Sequence, residues 1–328
     1  MAKKRKSTSK PKKSSKSSQN SSGKTEGNTR AGPRVMEKTM SEIGRLLQEQ
    51  EFASHEDANA FIQEQLQGKP VDVFSNEAEW DPLRRAQELI YDAWEMLYKS
   101  DRVRLAERAL VISPDCADAY NLLAEEKAKS AAEARAYYEE GVRAGERALG
   151  PEAFKEDVGY FWGLMETRPY MRARAGLAEC LWILGEREAA VEHYRDMLRL
   201  NPGDNQGIRY VLLGRLLEMG EEERVGKLLK EYEGDGSASW LYNRALWLYR
   251  RTGESGAEAA LTEALEQNPH VPVYLLGRKR VPKRLPEYIG WGDESEAKAY
   301  ASDAIELWKA TDGARGWLLR TQQTFALR

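Results

Sequence analysis

Apolar residues recur every three or four positions over most of this chain, which predicts amphipathic helices rather than strands. The pattern is clearest from Met171 to Asp204, a stretch of 34 residues with two helical runs separated by a short turn. Gly185 stands where the first helix should end, because a residue without a Cβ adopts the left-handed conformation at least cost. Asn201-Pro202 should end the second, since proline disfavours helical geometry in the residue before it.

A 34-residue unit with this order of small residue, glycine, aromatic residue and proline is typical of the tetratricopeptide repeat, or TPR. Ala190 and Tyr194 hold the small and aromatic positions of the second helix. One unit cannot bury its own apolar face, so neighbouring units must stack on it. The predicted fold class is all-α: a TPR-like α-solenoid, in which helix–turn–helix repeats form a right-handed superhelix. Such arrays present a concave surface that binds other molecules.

Applied to the whole chain, the pattern predicts segments of different character. They are a disordered Lys/Ser-rich tail (1–34), an N-terminal helical pair (35–70), a linker (71–82), a repeat array (83–270) and a C-terminal capping segment (271–328). In the first helix of the N-terminal pair, Met40, Ile43, Leu46 and Leu47 lie on one face.

Two parts of this plan depart from the regular period. An insertion at about 150–170 interrupts the array, and a short helix with Phe161 and Trp162 is predicted within it. The capping segment must cover the last apolar face of the solenoid. The residues predicted to form that cover are Trp291, Trp308 and Trp317.

Charge changes the picture at the N-terminus. The whole chain of 328 residues has a formal charge of −3, yet residues 1–34 carry eleven Lys or Arg and one acid, Glu26. With so few apolar residues this tail should be disordered. Three alternative interpretations fit the sequence of the tail: an import signal, a nucleic-acid-binding segment and a solubilising tail. With the basic cluster from Arg278 to Arg284, it supports the alternative of a nucleic-acid-associated protein.

Residues that could carry chemistry are sparse. His55, His193 and His270 show no metal-ligand spacing, and Cys116 and Cys180 lie within helical patterns as buried thiols. Phosphate-loop and nucleophile-elbow signatures are absent from the sequence. We therefore expect no catalytic residues, no cofactor and no metal. Apolar runs fall short of the ~18–20 residues of a membrane helix, and an apolar signal region is missing, so we expect a cytoplasmic protein without a membrane partner, with nuclear placement left open.

Several stretches resemble the suppression of tumorigenicity seven family. They are Leu122–Glu126, Ala132–Ala134, Gly141–Glu146, Glu166–Arg172 and Asn201–Gly207. The similarity covers roughly residues 80–310 and is greatest to the soluble bacterial tetratricopeptide relatives. Eukaryotic members are membrane-associated, but their apolar spans are not found in this sequence. The resemblance implies no catalytic residues and no defined ligand.

The candidate binding residues are polar and aromatic side chains on the first helix of each repeat, which lines the concave face in this class. They are Arg168, Tyr170, Arg172, Arg174, Asn205, Arg209, Tyr210, Tyr242 and Asn243. Arginine binds carboxylates in bidentate fashion, and tyrosine adds rigid contact area. The sequence therefore predicts a non-enzymatic interaction scaffold for a protein or peptide with acidic or carboxylate groups. In the alternative interpretation, Arg168, Arg172 and Arg174 pair with acids of neighbouring helices and hold the insertion in place. The partner's identity and the oligomeric state stay open.

Overall fold

The computed structural model describes residues 33–48, 50, 52–66, 80–286 and 288–327. The predicted tail up to residue 32 and the predicted linker from 71 to 79 lie outside the described residues. Regular secondary structure in the described ranges is entirely α-helical. The helices are α1 (Pro33–Gln48), α2 (His55–Leu66), α3 (Pro82–Glu95), α4 (Lys99–Ile112), α5 (Ala117–Glu126), α6 (Ala131–Glu156), α7 (Arg168–Ile183), α8 (Arg187–Leu200), α9 (Ile208–Met219), α10 (Glu222–Glu231), α11 (Ala238–Gln267), α12 (Val271–Leu275), α13 (Glu294–Ala310) and α14 (Ala314–Phe325).

Short polar residues begin several of these helices. The hydroxyl of Ser54 accepts a hydrogen bond from the backbone N–H of Asp57 at 3.1 Å, and the Asp81 carboxylate accepts one from that of Arg84 at 2.9 Å. Asp293 caps α13 in the same way. Each cap satisfies a backbone donor that has no partner within its own helix, which fixes where the helix starts.

Glycine turns divide the array into helix pairs. Helices α7 and α8 form the unit predicted from the sequence, and Gly185 in the turn between them has φ +86°. Helices α6 and α11 are each interrupted by a glycine with positive φ, Gly150 at +71° and Gly253 at +73°. The two halves of α11 therefore form a further helix pair of the array. The helix-turn-helix plan of the array is confirmed.

The first helices of the early pairs pack side by side, α3 on α5 and α5 on α7. We call the surface formed by α3, α5 and α7 the inner face. Helix α1 lies against α3 on this surface. Buried apolar side chains form one cluster in α3 to α5 and a larger one that runs from Phe161 to Leu318. Between the two clusters lie buried polar side chains, among them Asp118 and Asn121.

The predicted short helix around Phe161 and Trp162 is wrong. The insertion is helical only as far as Glu156, and both aromatic residues lie in turns. The reason is a tertiary contact, since the backbone N–H groups of Gly159 and Phe161 both donate to the carbonyl of Leu200 at the end of α8, at 2.9 and 3.3 Å. Phe161 is nevertheless fully buried.

The predicted aromatic cover is correct for two of its members. Trp308 and Trp317 are buried, and their rings stack with centroids 6.3 Å apart. Trp291 is 66% exposed, so its predicted role as cover is wrong. It lies in the loop before α13, where Gly292 donates its N–H to Glu296. The indole borders a surface groove with Arg209 and Tyr232, which places it outside the core.

The α7–α8 unit allows a direct test of helical phase. Ala190 is fully buried, whereas Glu192 is exposed and accepts a hydrogen bond from Arg224 at 2.9 Å. Ala190→Leu should lower the free energy of unfolding by about 1–3 kcal/mol, because extra methylenes must fit into a packed core. Glu192→Leu should cost less than about 0.5 kcal/mol, since it removes only an exposed ion pair. Denaturant midpoints would compare them, and a larger loss for Glu192→Leu would contradict the phase.

Candidate functional site

Two arginines of α7 hold a carboxylate on the inner face. Arg168 and Arg172 are one helical turn apart, so their side chains project from the same side of α7. Arg168 Nη1 donates to Glu37 Oε1 at 3.2 Å, and Arg172 Nη1 donates to Oε1 at 3.1 Å and Oε2 at 2.9 Å. Glu37 belongs to α1, and its side chain is buried by these contacts. We call Arg168 and Arg172 the carboxylate clamp.

The second edge of the Arg172 guanidinium is fixed by the protein itself. Arg172 Nε and Nη2 donate to the two carboxylate oxygens of Asp118 at 2.9 and 2.6 Å. Asp118 is fully buried and also accepts from the amides of Asn121 and Gln87, both at 3.0 Å. Such bidentate geometry orients a guanidinium plane. Arg172 is therefore held in place with its remaining edge directed at Glu37.

Electrostatic interactions keep Asp118 and Arg172 in their charged forms. Burial by itself would raise the pKa of Asp118, but the charge and hydrogen bonds of Arg172 hold that pKa below its ordinary value of 3.8. Burial likewise opposes the charge of Arg172, while Asp118 and Glu37 raise the pKa of its guanidinium above the usual range. Because Asp118 neutralises one arginine, the clamp and Asp118 together have one net positive charge. A single carboxylate such as that of Glu37 balances it.

Aromatic rings support both arginines. The Arg172 guanidinium carbon lies 5.4 Å from the ring centre of Trp94, and that of Arg168 lies 5.2 Å from Trp162. Arg168 Nε also donates to the carbonyl of Trp162 at 2.9 Å. Contacts of this kind attract a cation to the ring face. The insertion turn that contains Trp162 therefore positions one half of the clamp.

Helix α3 extends the site with charges of both signs. Lys38 Nζ of α1 lies 3.2 Å from Glu88 and 3.5 Å from Asp92. Arg84 donates to Glu42 of α1 at 2.8 Å. The inner face thus contacts α1 at three sites. The first is the basic carboxylate clamp, the second is the acidic pair Glu88 and Asp92, and the third is the basic residue Arg84.

A cavity of about 420 Å³ adjoins α1 on the inner face. It is bordered by Met40 and Gly44 of α1, and by Gly145, Met165 and Tyr170 across the gap. Met40 is 47% exposed. Of the apolar face seen in the sequence, Ile43, Leu46 and Leu47 are thus half-buried and Met40 borders the cavity, while Glu37 and Glu42 are buried.

The alternative interpretation of the three arginines describes their contacts correctly, since each pairs with an acid of another helix. Arg174 Nη1 lies 2.7 Å from Asp196 of α8 and also donates to the Tyr170 hydroxyl at 2.7 Å. Tyr170 is buried beneath it. The polar groups of these two predicted contact residues are thus paired within the protein, while the Tyr170 side chain also borders the cavity beside α1.

A second group of predicted residues comes together at the start of α9. Arg209 lies 3.2 Å from Asp204 and 2.7 Å from Asp235, which also accepts from the Tyr210 hydroxyl at 2.8 Å. Asn205 is exposed in the preceding turn. These residues form a cluster of their own, apart from the clamp.

The prediction that Tyr242 and Asn243 line an accessible surface is wrong. Both are buried, and the Tyr242 hydroxyl donates to the carbonyl of Asn268 at 2.8 Å. Asn243 accepts from the Tyr300 hydroxyl of α13 at 3.0 Å. Packing of α13 on α11 covers this position, so its polar groups satisfy one another inside the protein.

The sequence did not identify Glu37 and Asp118, the two acids that pair with the arginines of the carboxylate clamp. Asp118 carries a local signal, because it lies between Ala117 and Ala119 in an otherwise apolar stretch of α5. Glu37 carries none, since its importance depends on arginines more than one hundred residues away.

The basic cluster from Arg278 to Arg284 is exposed in the loop between α12 and α13. Lys279 lies 2.8 Å from Glu294. In the described part of the chain, groups of His, Cys, Asp or Glu that could hold a metal ion are absent. Over the same residues, every helix is too short or too polar to cross a lipid bilayer.

The stacked helix pairs, their glycine turns and the side-by-side first helices define an all-α helical-repeat protein of the TPR type. The family model described as ST7 protein matches residues 71–326. The chain therefore belongs to the ST7 family, in agreement with the resemblance seen in the sequence.

Curated relatives come from several animals. The chain is 31% identical over 257 residues to Suppressor of tumorigenicity 7 protein-like from Gallus gallus, covering 71% of this chain and 46% of that protein. It is 31% identical over 277 residues to Protein ST7 homolog from Caenorhabditis elegans, covering 71% and 50%. The homolog from Drosophila melanogaster is 31% identical over 262 residues, covering 72% and 48%. The chain spans about half the length of the curated relatives it matches.

Among solved structures, the chain is similar to YrrB, a TPR protein with an unusual peptide-binding site. The TM-score is 0.39 at 16% sequence identity, over 63% of this chain and 90% of YrrB.

Proposed function

We propose that this ST7-family chain is a non-enzymatic interaction scaffold whose inner face binds a carboxylate-bearing helical segment of a partner protein. The proposal rests on the hydrogen bonds that Arg168 and Arg172 donate to the Glu37 carboxylate. In this contact the inner face binds a carboxylate that is carried by a helix.

The clamp has the properties of a prepared binding site. Asp118 orients Arg172 before any ligand arrives, so little conformational entropy is lost when a carboxylate binds. Hydrogen bonds to charged groups contribute about 1.5–3 kcal/mol each in favourable settings. The cavity beside α1 offers further space for side chains of a bound segment.

A binding measurement tests this function. The protein is the full chain with Glu37→Gln and Glu42→Gln, which removes the acids of α1 from Arg168, Arg172 and Arg84. The probe is a fluorescein-labelled synthetic peptide with the sequence of residues 33–48. Fluorescence anisotropy should show saturable binding. Adding Arg168→Gln should weaken that binding at least about tenfold, because one charge-assisted contact is lost.

The matched control is the same peptide with glutamine at both acid positions, which should bind far more weakly. Circular dichroism would check that Arg168→Gln leaves the helical fold intact. Equal binding of the two peptides, or no effect of Arg168→Gln, would contradict the proposal.

A further inference from the structure

Helix α1 contacts the body of the protein through charged side chains that form ion pairs with α3 and α7. Glu37 and Glu42 are buried, whereas Met36 and Met40 are 55% and 47% exposed. A helix that belongs to a permanent core normally buries its apolar stripe instead. In α1 the apolar residues Ile43, Leu46 and Leu47 are only half-buried, whereas its acids are buried in ion pairs with the inner face.

Helix α1 is joined to the array by residues 49–81, which include helix α2 (His55–Leu66). Because α1 lies outside the helix pairs of the array, its departure would leave those pairs in contact with one another. Because α1 belongs to the same chain, it competes with an external segment for the inner face intramolecularly.

We propose that α1 is an exchangeable internal ligand of the inner face, and that the partner segment is a helix with the same charge pattern. The inference rests on the proposed function and specifies its ligand. The pattern is an acid, a base in the next position and a second acid five positions after the first. In α1 these are Glu37, Lys38 and Glu42.

Each element of the pattern has a separate partner on the protein. The first acid meets Arg168 and Arg172, and the second meets Arg84. The base meets Glu88 and Asp92, which would repel an acid placed there. The site therefore discriminates against a uniformly acidic segment, because opposing charges act as a repulsive element against the wrong ligand.

Occupation by α1 lowers the affinity for any external segment, because only the fraction of molecules with a free inner face can bind it. A partner that displaces α1 would release its buried acids to solvent at the same time. Binding of the partner and detachment of α1 are thus thermodynamically coupled.

The experiment compares the affinity of the labelled 33–48 peptide for two full-length proteins. The wild-type chain should bind it at least tenfold more weakly than the Glu37→Gln, Glu42→Gln variant, in which α1 no longer competes. A control variant with Glu152→Gln and Glu156→Gln removes two exposed acids of α6, and should bind as weakly as wild type. A peptide with Lys38→Glu should bind the Glu37→Gln, Glu42→Gln variant at least tenfold more weakly than the unmodified peptide.

The outcomes separate the two proposals. Equal affinity of the wild type and the Glu37→Gln, Glu42→Gln variant would overturn the internal ligand while the interaction site itself stood. Equal affinity of the Lys38→Glu and unmodified peptides would overturn the charge pattern. Failure of every protein to bind the unmodified peptide would overturn the proposed function as well.

Discussion

Arg172→Leu should lower the free energy of unfolding by about 3–5 kcal/mol, because it leaves the Asp118 carboxylate buried without its charge partner. Asp118 is fully buried, and Arg172 supplies two of its hydrogen bonds. The amides of Asn121 and Gln87 would remain, but they carry no net charge. Equilibrium denaturation in urea, monitored by circular dichroism, would measure the loss.

Arg143→Leu is the control, since Arg143 is exposed and pairs with Glu140 within one helix. It should change stability by less than about 0.5 kcal/mol. Combining Arg172→Leu with Asp118→Leu should recover part of the loss, because the unpaired charge is then gone as well. A loss for Arg172→Leu no larger than for Arg143→Leu would show that Asp118 finds compensation elsewhere.

Trp308→Ala should lower the free energy of unfolding by about 3–5 kcal/mol, because it removes a large, fully buried side chain from the capping segment. The indole N–H of Trp308 also donates to the Tyr300 hydroxyl at 2.8 Å, so a polar contact is lost with the packing. The shift of the urea midpoint would measure this effect.

Trp291→Ala serves as the matched control in the same segment. Its indole is largely exposed, so the change should cost less than about 0.5 kcal/mol. A larger loss for Trp291→Ala than for Trp308→Ala would mean that the wrong tryptophan has been assigned to the core.

Local features of the sequence were enough to predict the repeat plan. Gly185 and Pro202 mark helix ends through their own backbone preferences, so the α7–α8 unit can be recognised without tertiary information. Ala190 and Tyr194 then set the buried side of α8, and both are buried in the structure. Stacking follows, because an amphipathic helix pair needs neighbours.

The candidate site depends on contacts between distant parts of the chain, which periodicity does not encode. Arg168 and Arg172 were identified as carboxylate binders by residue type, but their partner Glu37 comes from α1. The accessibility of Tyr242 was misjudged for the same reason, since α13 folds back over it. The helical phase of α11 alone does not show which neighbour will cover it.

The polar layer around Asp118 separates the two apolar clusters, and this bears on how cooperatively the array unfolds. In a stacked array, each interface contributes its own coupling energy between neighbouring units. Ion pairs and directional hydrogen bonds tolerate misalignment less well than dispersion contacts, so this junction fixes the alignment of α5 and α7. Native-state hydrogen exchange should accordingly divide the molecule there, with α3 and α4 opening as one unit while α9 to α13 stay protected.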